Sequence, residues 1–427
     1  MLFKRLKNYF HFFYALFGAV RFGFPSEKLL VIGVTGTKGK SSTIFFLRQV
    51  LEFAGFKVGE LSTIEFCVAR KCELNDKKMT MLGRTFIQRK LREMVQAGCQ
   101  IALVEITSEG FLQYRHKFIN YDIIVLTNLY PEHIEAHGGF ENYKAAKLGI
   151  FEYVSKCERK ILKQVQDDKL SKTAIVNEKS EYADEFLQYN FEKKIKSSAE
   201  QIEVKKDGLN FVVENEEYFA PLYGEHNAEN LACVIAIAKS LNISTEKIKQ
   251  STSVIKAPPG RIEFIPALRF HSGQAAEDLG FQVIVDYAFE PVALQKLYDV
   301  VRLLCPKRVI HVCGSTGGGR DKARREPIGK LVGEKADIFI VTDEDPYEED
   351  PLEIIKAVST GAQSVGKKLW VNLFEILDRG EAIKKAIAMA KVGDLLLITG
   401  KGSEQAMCLK SGMIKWDDRK IIREALL

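Results

Sequence analysis

Apolar runs alternate with segments of helical period along this chain, which predicts an α/β fold. The run Lys28–Gly36 is typical of a buried strand, and the segment STIFFLRQVLEFAG that follows has helical spacing and closes at Gly55. The runs Ile101–Thr107 and Tyr121–Asn128 each finish in polar residues, as strands do when their carboxyl ends line a site. The first part of the chain is therefore predicted to be a nucleotide-binding domain.

A second domain is predicted after a break at Pro258, Pro259 and Gly260, which puts the boundary near residue 256. Before the break, the charge density rises across residues 155–223, where we expect peripheral strands and loops of the first domain. After it, strands and helices alternate again, which favours a mostly parallel sheet. Its predicted strands are Phe281–Ala288, RVIHVCGS, ADIFIVTD, KLWVNLF and DLLLITG.

The composition is that of a soluble globular protein, with 46% hydrophobic and 28% charged residues and no low-complexity tract. The net charge of +6 is small for 427 residues, so it fits an enzyme of anionic substrates as well as a nucleic-acid binder. The eight cysteines are scattered without a CxxC pair, which predicts reduced cytoplasmic thiols and neither a zinc site nor a redox site.

The first 27 residues form an aromatic and basic segment in which Lys4, Arg5 and Lys7 precede a Phe-rich run. The uninterrupted apolar stretch Phe12–Val20 is about half the length of a membrane-spanning helix, and Arg21 ends it. We therefore predict a helix packed on the body of the protein. The alternative left open is a helix that lies on the inner face of a membrane through residues 1–25.

The segment Gly33–Ser41 follows a predicted strand and opens a helix, the context in which glycines let backbone amides approach phosphate oxygens. Lys40 is expected to reach the β- and γ-phosphates, and Ser41 to offer its hydroxyl to Mg²⁺. The general phosphate-loop spacing is not strictly met, because Val34 occupies the first glycine position. The predicted ATP-binding residues of this loop are Gly36, Thr37, Lys38, Gly39, Lys40, Ser41 and Ser42.

The segment GTKGKSS resembles the signature of the Mur ligase superfamily, and the run TNLYPEHIEAHGGFENYKAAKLGIF is similar to that of its E-type members, the UDP-N-acetylmuramoyl-tripeptide synthetases. The resemblance extends from Leu29 to about Ala406. It implies an α/β chain with a central P-loop ATPase domain of mostly parallel sheet at 28–256 and a C-terminal Rossmann-like domain at 257–427. The aromatic segment 1–27 precedes them.

The resemblance also implies a two-metal site. Glu105 and His133 would each contact a Mg²⁺ ion, and Lys147 matches a lysine that the family carries as a carbamate formed with CO₂. An unmodified ammonium would repel metals, whereas a carbamate is an anion that can hold one. Lys40, His133 and Lys147 are the predicted catalytic residues. His137 is expected to make a structural hydrogen bond.

Further nucleotide and substrate contacts follow from matched segments. Phe289 and Ser403 stand where the family has histidines, and Glu109 replaces a third. The remaining predicted ATP contacts are Asn128, Asn230 in GEHNAEN, Arg261 and Asp286. The predicted substrate contacts are Thr107, Ser108, Gln113, Arg115, Asp345, Tyr347, Lys401 and Glu404.

The amino acid to be added is left open by one departure. The family motif DNPR pairs its arginine with the distal carboxylate of diaminopimelate, whereas this chain has Glu344, Asp345, Pro346 and Tyr347. Tyr347 cannot form that ion pair, and the neighbouring acids favour an ammonium group, so lysine or another cationic amino acid is the hypothesis.

A further departure concerns the acceptor. About 30 residues precede the phosphate strand, where Mur ligases carry a uridine-nucleotide-binding domain. We expect the acceptor to be held by the last two domains alone or to be carried differently, for example on a lipid.

The predicted function is ATP-dependent amide-bond formation between a muramoyl-peptide and an amino acid through an acyl phosphate, in peptidoglycan biosynthesis. The partners are these two substrates, with no nucleic acid, and the protein is expected to be a cytoplasmic monomer. The alternatives are a folylpolyglutamate synthase-like ligase and the ligase-like subunit of a lipid II amidotransferase. A non-enzymatic ATP-binding scaffold is disfavoured because Lys40, Glu105, His133 and Lys147 occur together.

Overall fold

A computed structural model describes residues 2–77, 79–131, 137–158, 171–269, 277–319 and 322–427 of the chain, with the side chains of 2–8 and 269 left aside. The chain forms two compact units, Met1–Lys256 and Ala257–Leu427. Each unit is built on a sheet of mostly parallel strands with helices in the connections, which confirms the predicted α/β class.

The first unit contains the longest helix of the described chain, α1, and the phosphate loop. Its helices are α1 (Leu2–Phe22), α2 (Lys40–Phe53), α3 (Arg84–Gln96), α4 (Ser108–Leu112), α5 (Phe140–Ser155), α6 (Ala183–Phe186), α7 (Glu225–Ser240) and α8 (Thr245–Ser253). Its strands are β1 (Leu30–Thr35), β2 (Val58–Leu61), β3 (Glu65–Val68), β4 (Lys71–Leu74), β5 (Ile101–Glu105), β6 (Ile123–Leu126), β7 (Thr173–Asn177), β8 (Lys193–Ser197), β9 (Glu200–Lys205), β10 (Gly208–Val213) and β11 (Glu216–Ala220).

The main sheet of this unit has the order β4-β3-β2-β5-β1-β6-β7-β8. Pairing is parallel from β2 to β8, while β3 and β4 add an antiparallel edge. Strands β1, β5 and β6 are buried along their whole length, as continuous apolar runs are when helices cover both faces of a sheet. The carboxyl ends of β2, β5, β1 and β6 therefore meet at one edge.

The segment between residues 155 and 223 divides into two parts, apart from residues 159–170, which lie outside the described chain. Strands β7 and β8 extend the main sheet, and β9, β10 and β11 form a small antiparallel sheet of their own. The strands of the small sheet alternate buried and exposed positions only weakly. This weak alternation explains why no clear strand pattern was predicted there.

The prediction that the cysteines are reduced thiols is wrong for two of them. Cys67 on β3 and Cys72 on β4 lie directly opposite each other in the antiparallel ladder and form a disulfide, with Cα atoms 4.1 Å apart. Directly opposed residues of an antiparallel pair are close enough for such a bond. The spacing in the sequence does not reveal this pairing, because it depends on the hairpin register.

The second unit repeats the α/β arrangement. Its strands are β12 (Glu263–Ile265), β13 (Leu268–Arg269), β14 (Glu277–Asp278), β15 (Gln282–Asp286), β16 (Arg308–Cys313), β17 (Ile338–Thr342), β18 (Leu373–Ile376), β19 (Asp394–Thr399), β20 (Ala406–Leu409) and β21 (Gly412–Lys415). Its helices are α9 (Pro291–Leu304), α10 (Arg325–Lys335), α11 (Pro351–Ser364), α12 (Arg379–Met389) and α13 (Asp418–Leu426). The main sheet has the order β12-β15-β19-β16-β17-β18, parallel except for β12.

One predicted strand of this unit, KLWVNLF, is largely wrong. The carbonyl of Lys368 accepts bonds from the amides of Val371 and Leu373, so this stretch is a turn, and Trp370 has a φ of 61°. Strand β18 begins only at Leu373. An apolar run cannot distinguish a strand from an exposed turn when the deciding bonds are local.

The N-terminal segment forms helix α1, which packs on α3 of the same unit. Ala15 and Ala19 are buried in this contact, and a Cβ on Gly18 would lie 3.0 Å from the Cα of Thr85. Small side chains thus let the two helices approach closely. Among the described residues, no helix is long and apolar enough to span a membrane.

Candidate active site

The phosphate loop between β1 and α2 approaches neighbouring groups too closely for any residue but glycine at two positions. Gly36 has a φ of 152°, and a Cβ there would lie 2.0 Å from the hydroxyl oxygen of Thr127. Gly39 has a φ of 81°, and a Cβ there would lie 2.3 Å from Oδ1 of Asn230. Glycine alone tolerates both the backbone angle and the contact, so these two residues let the loop turn tightly into α2.

Asn128, at the end of β6, holds the loop in this shape. Its Oδ1 accepts bonds from the amides of Lys38 at 2.9 Å and Thr37 at 3.2 Å, and its Nδ2 donates to the Lys38 carbonyl at 3.0 Å. The hydroxyl of Thr127 donates to the same carbonyl at 2.6 Å. Asn128, predicted to contact ATP, therefore supports the loop that would bind it, and a direct ATP contact stays a prediction.

Two lysine amines converge on one backbone carbonyl of the loop. Nζ of Lys147 donates to the Gly36 carbonyl at 2.7 Å, and Nζ of Lys40 donates to it at 3.1 Å and to the Thr37 carbonyl at 2.9 Å. Burial, and after it the charge of Lys40, lowers the pKa of the Lys147 amine well below its usual value, although Glu105 opposes this shift. Lys147 therefore gives up its proton far more readily than an exposed lysine.

Tyr143 covers the Lys147 amine and was missed in the sequence. The centre of its ring lies 4.8 Å from Nζ of Lys147, and its hydroxyl donates to the Thr37 hydroxyl at 3.2 Å. Both residues lie on α5, four positions apart, so they share one helix face. The spacing ExYxxAK could have indicated the contact.

Glu105, at the end of β5, accepts three hydrogen bonds on one oxygen. Its Oε2 accepts from the Ser41 hydroxyl at 2.9 Å, the Thr63 amide at 2.8 Å and the Thr63 hydroxyl at 2.9 Å. The predicted metal ligands Ser41 and Glu105 are thus neighbours. Thr63 was missed, because it follows the short strand β2 without any motif.

The turn that carries Thr63 is held by a buried cluster of polar side chains. The Ser62 hydroxyl donates to Glu60 at 2.8 Å, and Arg48 on α2 donates from Nε to the other oxygen of Glu60 at 2.7 Å. Burial raises the pKa of Glu60 to about 7 against the opposing charge of Arg48. This buried cluster ties the turn to the helix that begins at the phosphate loop.

One of the predicted metal ligands, His133, lies outside the described residues. In the described parts of the chain, one group of three acidic, cysteine or histidine side chains is close enough to share an ion, namely Glu65, Cys67 and Cys72, and its two sulfurs are bonded to each other. Ser41 and Glu105 offer hard oxygens, which fit Mg²⁺, and both stay predicted ligands.

The predicted acceptor-binding residues follow β5. Thr107 caps α4 by accepting the Gly110 amide at 3.0 Å, and the Ser108 hydroxyl lies 3.0 Å from Nε2 of His137. His137 thus makes a structural hydrogen bond. Gln113 accepts a bond from Arg115 at 2.7 Å. Contacts of these side chains with a substrate stay predictions.

Arg84, at the start of α3, was not predicted. Its Nε donates to the Gln113 carbonyl at 2.7 Å, and one of its terminal nitrogens is buried with no bond in the structure. Burial, and after it the nearby charge of Arg115, lowers the pKa of Arg84. A second cation thus stands beside the predicted acceptor-binding segment.

In the second unit, Asp286 and Arg261 lie together at the end of β15. The two oxygens of Asp286 accept the amides of Ile262 and Ala288, each at 2.7 Å, and the guanidinium of Arg261 stacks 4.2 Å from the ring centre of Tyr287. Burial raises the pKa of Asp286, although Arg261 opposes this. Asp286 therefore shapes the turn that carries Arg261, and their contacts with ATP stay predictions.

Lys401 forms ion pairs with two other residues that are predicted to contact the substrate. Its Nζ donates to Asp345 at 2.8 Å and to Glu404 at 2.6 Å, and Lys401 has no exposed surface. Asp345 also accepts the Cys408 amide at 2.6 Å. The Lys401 amine thus stabilises the loop after β19, and contacts of Lys401, Asp345, Glu404 and Tyr347 with a substrate stay predictions.

A cavity of about 890 Å³ opens beside Tyr347 in the second unit. Asp350 and Asp378 cap α11 and α12 at its wall, and Arg325 and Lys322 lower the pKa of Glu349 to about 2. Burial raises the pKa of Asp343 to about 6. The carboxylates that line the cavity are Asp343, Glu348, Glu349, Asp350 and Asp378, against the cations Arg379 and Lys410. Ion pairs already compensate one cation and one carboxylate of this wall, because Arg379 pairs with Asp418 at 2.7 Å and Glu349 pairs with Arg325 at 2.9 Å.

Comparison with known proteins identifies the family. Residues 34–238 match the Mur ligase middle domain, and residues 269–402 match the domain described as Mur ligase, glutamate ligase domain. The UDP-N-acetylmuramyl-tripeptide synthetase of Roseiflexus sp. (strain RS-1) is 32% identical over 422 residues, covering 96% of this chain and 80% of that protein. The chain belongs to the Mur ligase family.

Another relative carries a different specificity in its name. The UDP-N-acetylmuramoyl-L-alanyl-D-glutamate--2,6-diaminopimelate ligase of Clostridium perfringens is also 32% identical, covering 96% of this chain and 81% of that protein. As a Mur ligase, the protein is an ATP- and Mg²⁺-dependent, ADP-forming ligase. The two names together leave the amino acid undecided.

Solved structures show the same fold. A UDP-N-acetylmuramoyl-L-alanyl-D-glutamate--2,6-diaminopimelate ligase superposes with a TM-score of 0.63 at 24% identity, covering 93% of this chain and 78% of that one. The Mycobacterium tuberculosis folylpolyglutamate synthase superposes with a TM-score of 0.60 at 15% identity, covering 90% and 91%. At these identities the likeness concerns the fold alone.

The substitution Gly36→Ala is expected to weaken ATP binding about tenfold or more, because the new methyl group would overlap the Thr127 hydroxyl and displace the loop. Isothermal titration with ATP and Mg²⁺ measures the effect. Gly55→Ala is the matched control, since Gly55 also has a positive φ but faces open space. Unchanged ATP affinity in Gly36→Ala would show that the loop does not need this close approach.

Proposed function

We propose that this Mur ligase joins an amino acid to the free carboxylate of a muramoyl-peptide and converts ATP to ADP and phosphate. The proposal rests on one observation above all. Lys40, Ser41, Glu105 and Lys147 gather at one edge of the sheet around a glycine loop shaped for phosphate. The acceptor is proposed to be a muramoyl-peptide because the relatives are named for such substrates.

The reaction has two steps. A carboxylate oxygen of the acceptor attacks the γ-phosphorus of ATP, the bond to the bridging oxygen breaks, and ADP leaves. The amine of the amino acid then attacks the acyl carbon, loses a proton, and phosphate departs. Lys40 would neutralise charge on the transferred phosphoryl group in the first step.

Two Mg²⁺ ions are proposed. Ser41 and Glu105 would hold the ion next to the nucleotide, and His133 with the modified Lys147 would hold the second. The ions would lower the repulsion between ATP and the acceptor carboxylate. The fit is supported by the Ser41 hydroxyl and the Glu105 carboxylate, which lie 2.9 Å apart beside the loop.

Lys147 is proposed to carry a carbamate. Its nitrogen would attack CO₂ and release a proton, which requires the neutral amine. Support comes from the pKa of Lys147, which burial and Lys40 hold well below the usual value. The product is an anion at a position where an ammonium would oppose the metal ions.

Lys147 should therefore give a ¹³C carbamate resonance when the protein is equilibrated with ¹³C-bicarbonate. Lys147→Arg should lose the resonance and reduce turnover about 100-fold or more, since the cation remains but no carbamate can form. Lys144→Arg is the control, because Lys144 lies on the same helix but pairs with Glu141 and Glu185 at 3.3 Å. A resonance that survives in Lys147→Arg would refute the assignment.

The amino acid is proposed to be lysine or another cationic one. Carboxylates dominate the cavity beside Tyr347, and Tyr347 occupies the position of the family arginine that pairs with a distal carboxylate. Coulomb attraction inside such a cavity favours an ammonium group over a carboxylate. The cavity therefore selects by the charge of the side chain.

Phosphate release from ATP should be stimulated by UDP-muramoyl-dipeptide together with lysine. With diaminopimelate in place of lysine, the rate should be lower by a factor of about ten or more. The assay crosses this acceptor and a folate with lysine, ornithine, diaminopimelate, alanine and glutamate. Tyr347→Arg should shift the preference toward diaminopimelate. Release only with diaminopimelate would exclude the cationic choice.

The folate arm of this assay tests the second candidate. It is kept because this chain spans 91% of the folylpolyglutamate synthase but only 78% of the diaminopimelate ligase in the superpositions. Stimulation by folate and glutamate alone would replace the muramoyl-peptide proposal. No stimulation with any pair would remove the ligase proposal itself.

The KM for lysine should rise as the pH falls through about 6, because Asp343 becomes neutral below its raised pKa. Loss of one attraction of about 1 kcal/mol corresponds to a rise of about fivefold. Norleucine, whose side chain is neutral, serves as the reference, so that protonation of the shared α-amine cancels in the ratio. Asp343→Asn should flatten the ratio, and a pH-dependent ratio in that variant would point to another group.

We further propose a cytoplasmic monomer that acts in peptidoglycan biosynthesis and so contributes to cell shape and division. The family and the relatives' names support the pathway. The monomer rests on both proposed sites lying within a single chain.

A further inference from the structure

Helix α1 has its large apolar side chains on the side that faces away from the protein. Ala15 and Ala19 are buried against the body, and Gly18 meets Thr85. Five large residues at spacings of one to four lie on the opposite side of the helix and are 59–64% exposed: Tyr9, Phe10, Phe13, Phe17 and Val20. We call these five residues the aromatic face. Their burial elsewhere would be favourable, so the face is a contact surface.

All the charged residues of α1 are basic. Lys4, Arg5 and Lys7 lie in the first two turns of α1, Arg21 is exposed in its last turn, and α1 contains no acidic residue. Helix α3, on which α1 packs, has Arg89, Arg92 and Glu93 in a groove beside the end of α1, and Glu93 pairs with Arg89 at 3.7 Å. With Arg21 and Arg92 beside this one ion pair, the surface at the end of α1 is mainly cationic.

Helix α1 also lies next to the predicted acceptor-binding segment. The ring of Phe12 contacts that of Phe118 with centres 5.2 Å apart, and Thr85, under Gly18, follows Arg84. Arg84 in turn bonds the carbonyl of Gln113. A surface bound by α1 would therefore stand close to where the acceptor is expected.

We infer that α1 is an interfacial helix that lies flat in the headgroup layer of an anionic lipid bilayer. Aromatic side chains are stable at the boundary between headgroups and acyl chains, and flanking lysine and arginine residues attract anionic lipids. No described helix, α1 included, is long and apolar enough to cross a bilayer, which fits a helix that lies flat. Its small-residue side keeps the enzyme attached while the aromatic face enters the lipid.

The charge pattern decides between the occupants. A second copy of this chain would bring another α1, which is also basic and without an acidic residue, toward the first, and such an approach of like charges costs free energy. An anionic bilayer matches the surface in both apolar character and charge. The second copy is therefore an outcome of the test and not the proposal.

The full-length protein should co-sediment with vesicles of phosphatidylcholine containing phosphatidylglycerol, and about tenfold less with phosphatidylcholine alone. Added salt should weaken the binding. The double variant Phe13→Ser/Phe17→Ser should lower partitioning about tenfold or more, while turnover of soluble substrates stays unchanged, since neither residue belongs to the proposed sites.

Trp370→Ser is the matched control, because Trp370 is 68% exposed in the second unit and should not alter vesicle binding. Circular dichroism and ATP binding check that the double variant is folded. Equal binding to neutral and anionic vesicles, or no binding, would overturn the proposal. Sedimentation velocity without lipid is the second arm: a dimer that the double variant abolishes would assign the aromatic face to a second copy and overturn the membrane.

Discussion

The first unit depends on one carbonyl group, that of Gly36, to which two lysine amines donate. Lys40 arrives from the helix that follows the loop, and Lys147 arrives from α5, more than a hundred residues later in the sequence. Burial, and after it the charge of Lys40, lowers the pKa of the Lys147 amine, so a neutral amine is favoured over a second buried ammonium group at this carbonyl. The loop, its glycine and the position of α5 are therefore coupled, because a change in any of them moves one of the amines.

The parallel sheet explains why the other groups meet there. The register pairs Val34 with Glu105 and Thr35 with Leu126, so the residues that follow β1, β5 and β6 emerge side by side. Glu105 then reaches Ser41 and Thr63, and Asn128 reaches the loop. The buried cluster of Arg48 and Glu60 fixes the Thr63 turn to α2, so helix and turn position the same carboxylate.

Some of this site could be predicted from sequence, and the physical reason differs from residue to residue. The loop and its helix could be read because strand, glycines and lysine are contiguous. Lys147 could be named only by resemblance, since a lone lysine on a helix is usually exposed, and Tyr143 could have followed from helical spacing. Thr63, Arg84 and the bond between Cys67 and Cys72 depend on contacts across strands or between distant segments, which no local pattern encodes. The strand predicted across Trp370 was wrong for the converse reason: local hydrogen bonds form a turn there, and the apolar run does not reveal them.

The two units treat charge in opposite ways, and this is what joining a carboxylate to an amine requires. At the sheet edge of the first unit, the amines of Lys40 and Lys147 reach the Gly36 carbonyl beside the start of α2, and a helix N-terminus is an environment for phosphate. In the second unit, carboxylates line the cavity while the strongest cations are used up internally, Arg379 by Asp418 and Lys401 by Asp345. Burying those two cations in ion pairs leaves the cavity wall negative without leaving an uncompensated charge in the core. The two proposed sites therefore differ locally in charge. The phosphate loop of the first unit suits an anionic phosphoryl group, and the cavity beside Tyr347 suits an ammonium group, while Arg261 elsewhere in the second unit stays a predicted contact of ATP.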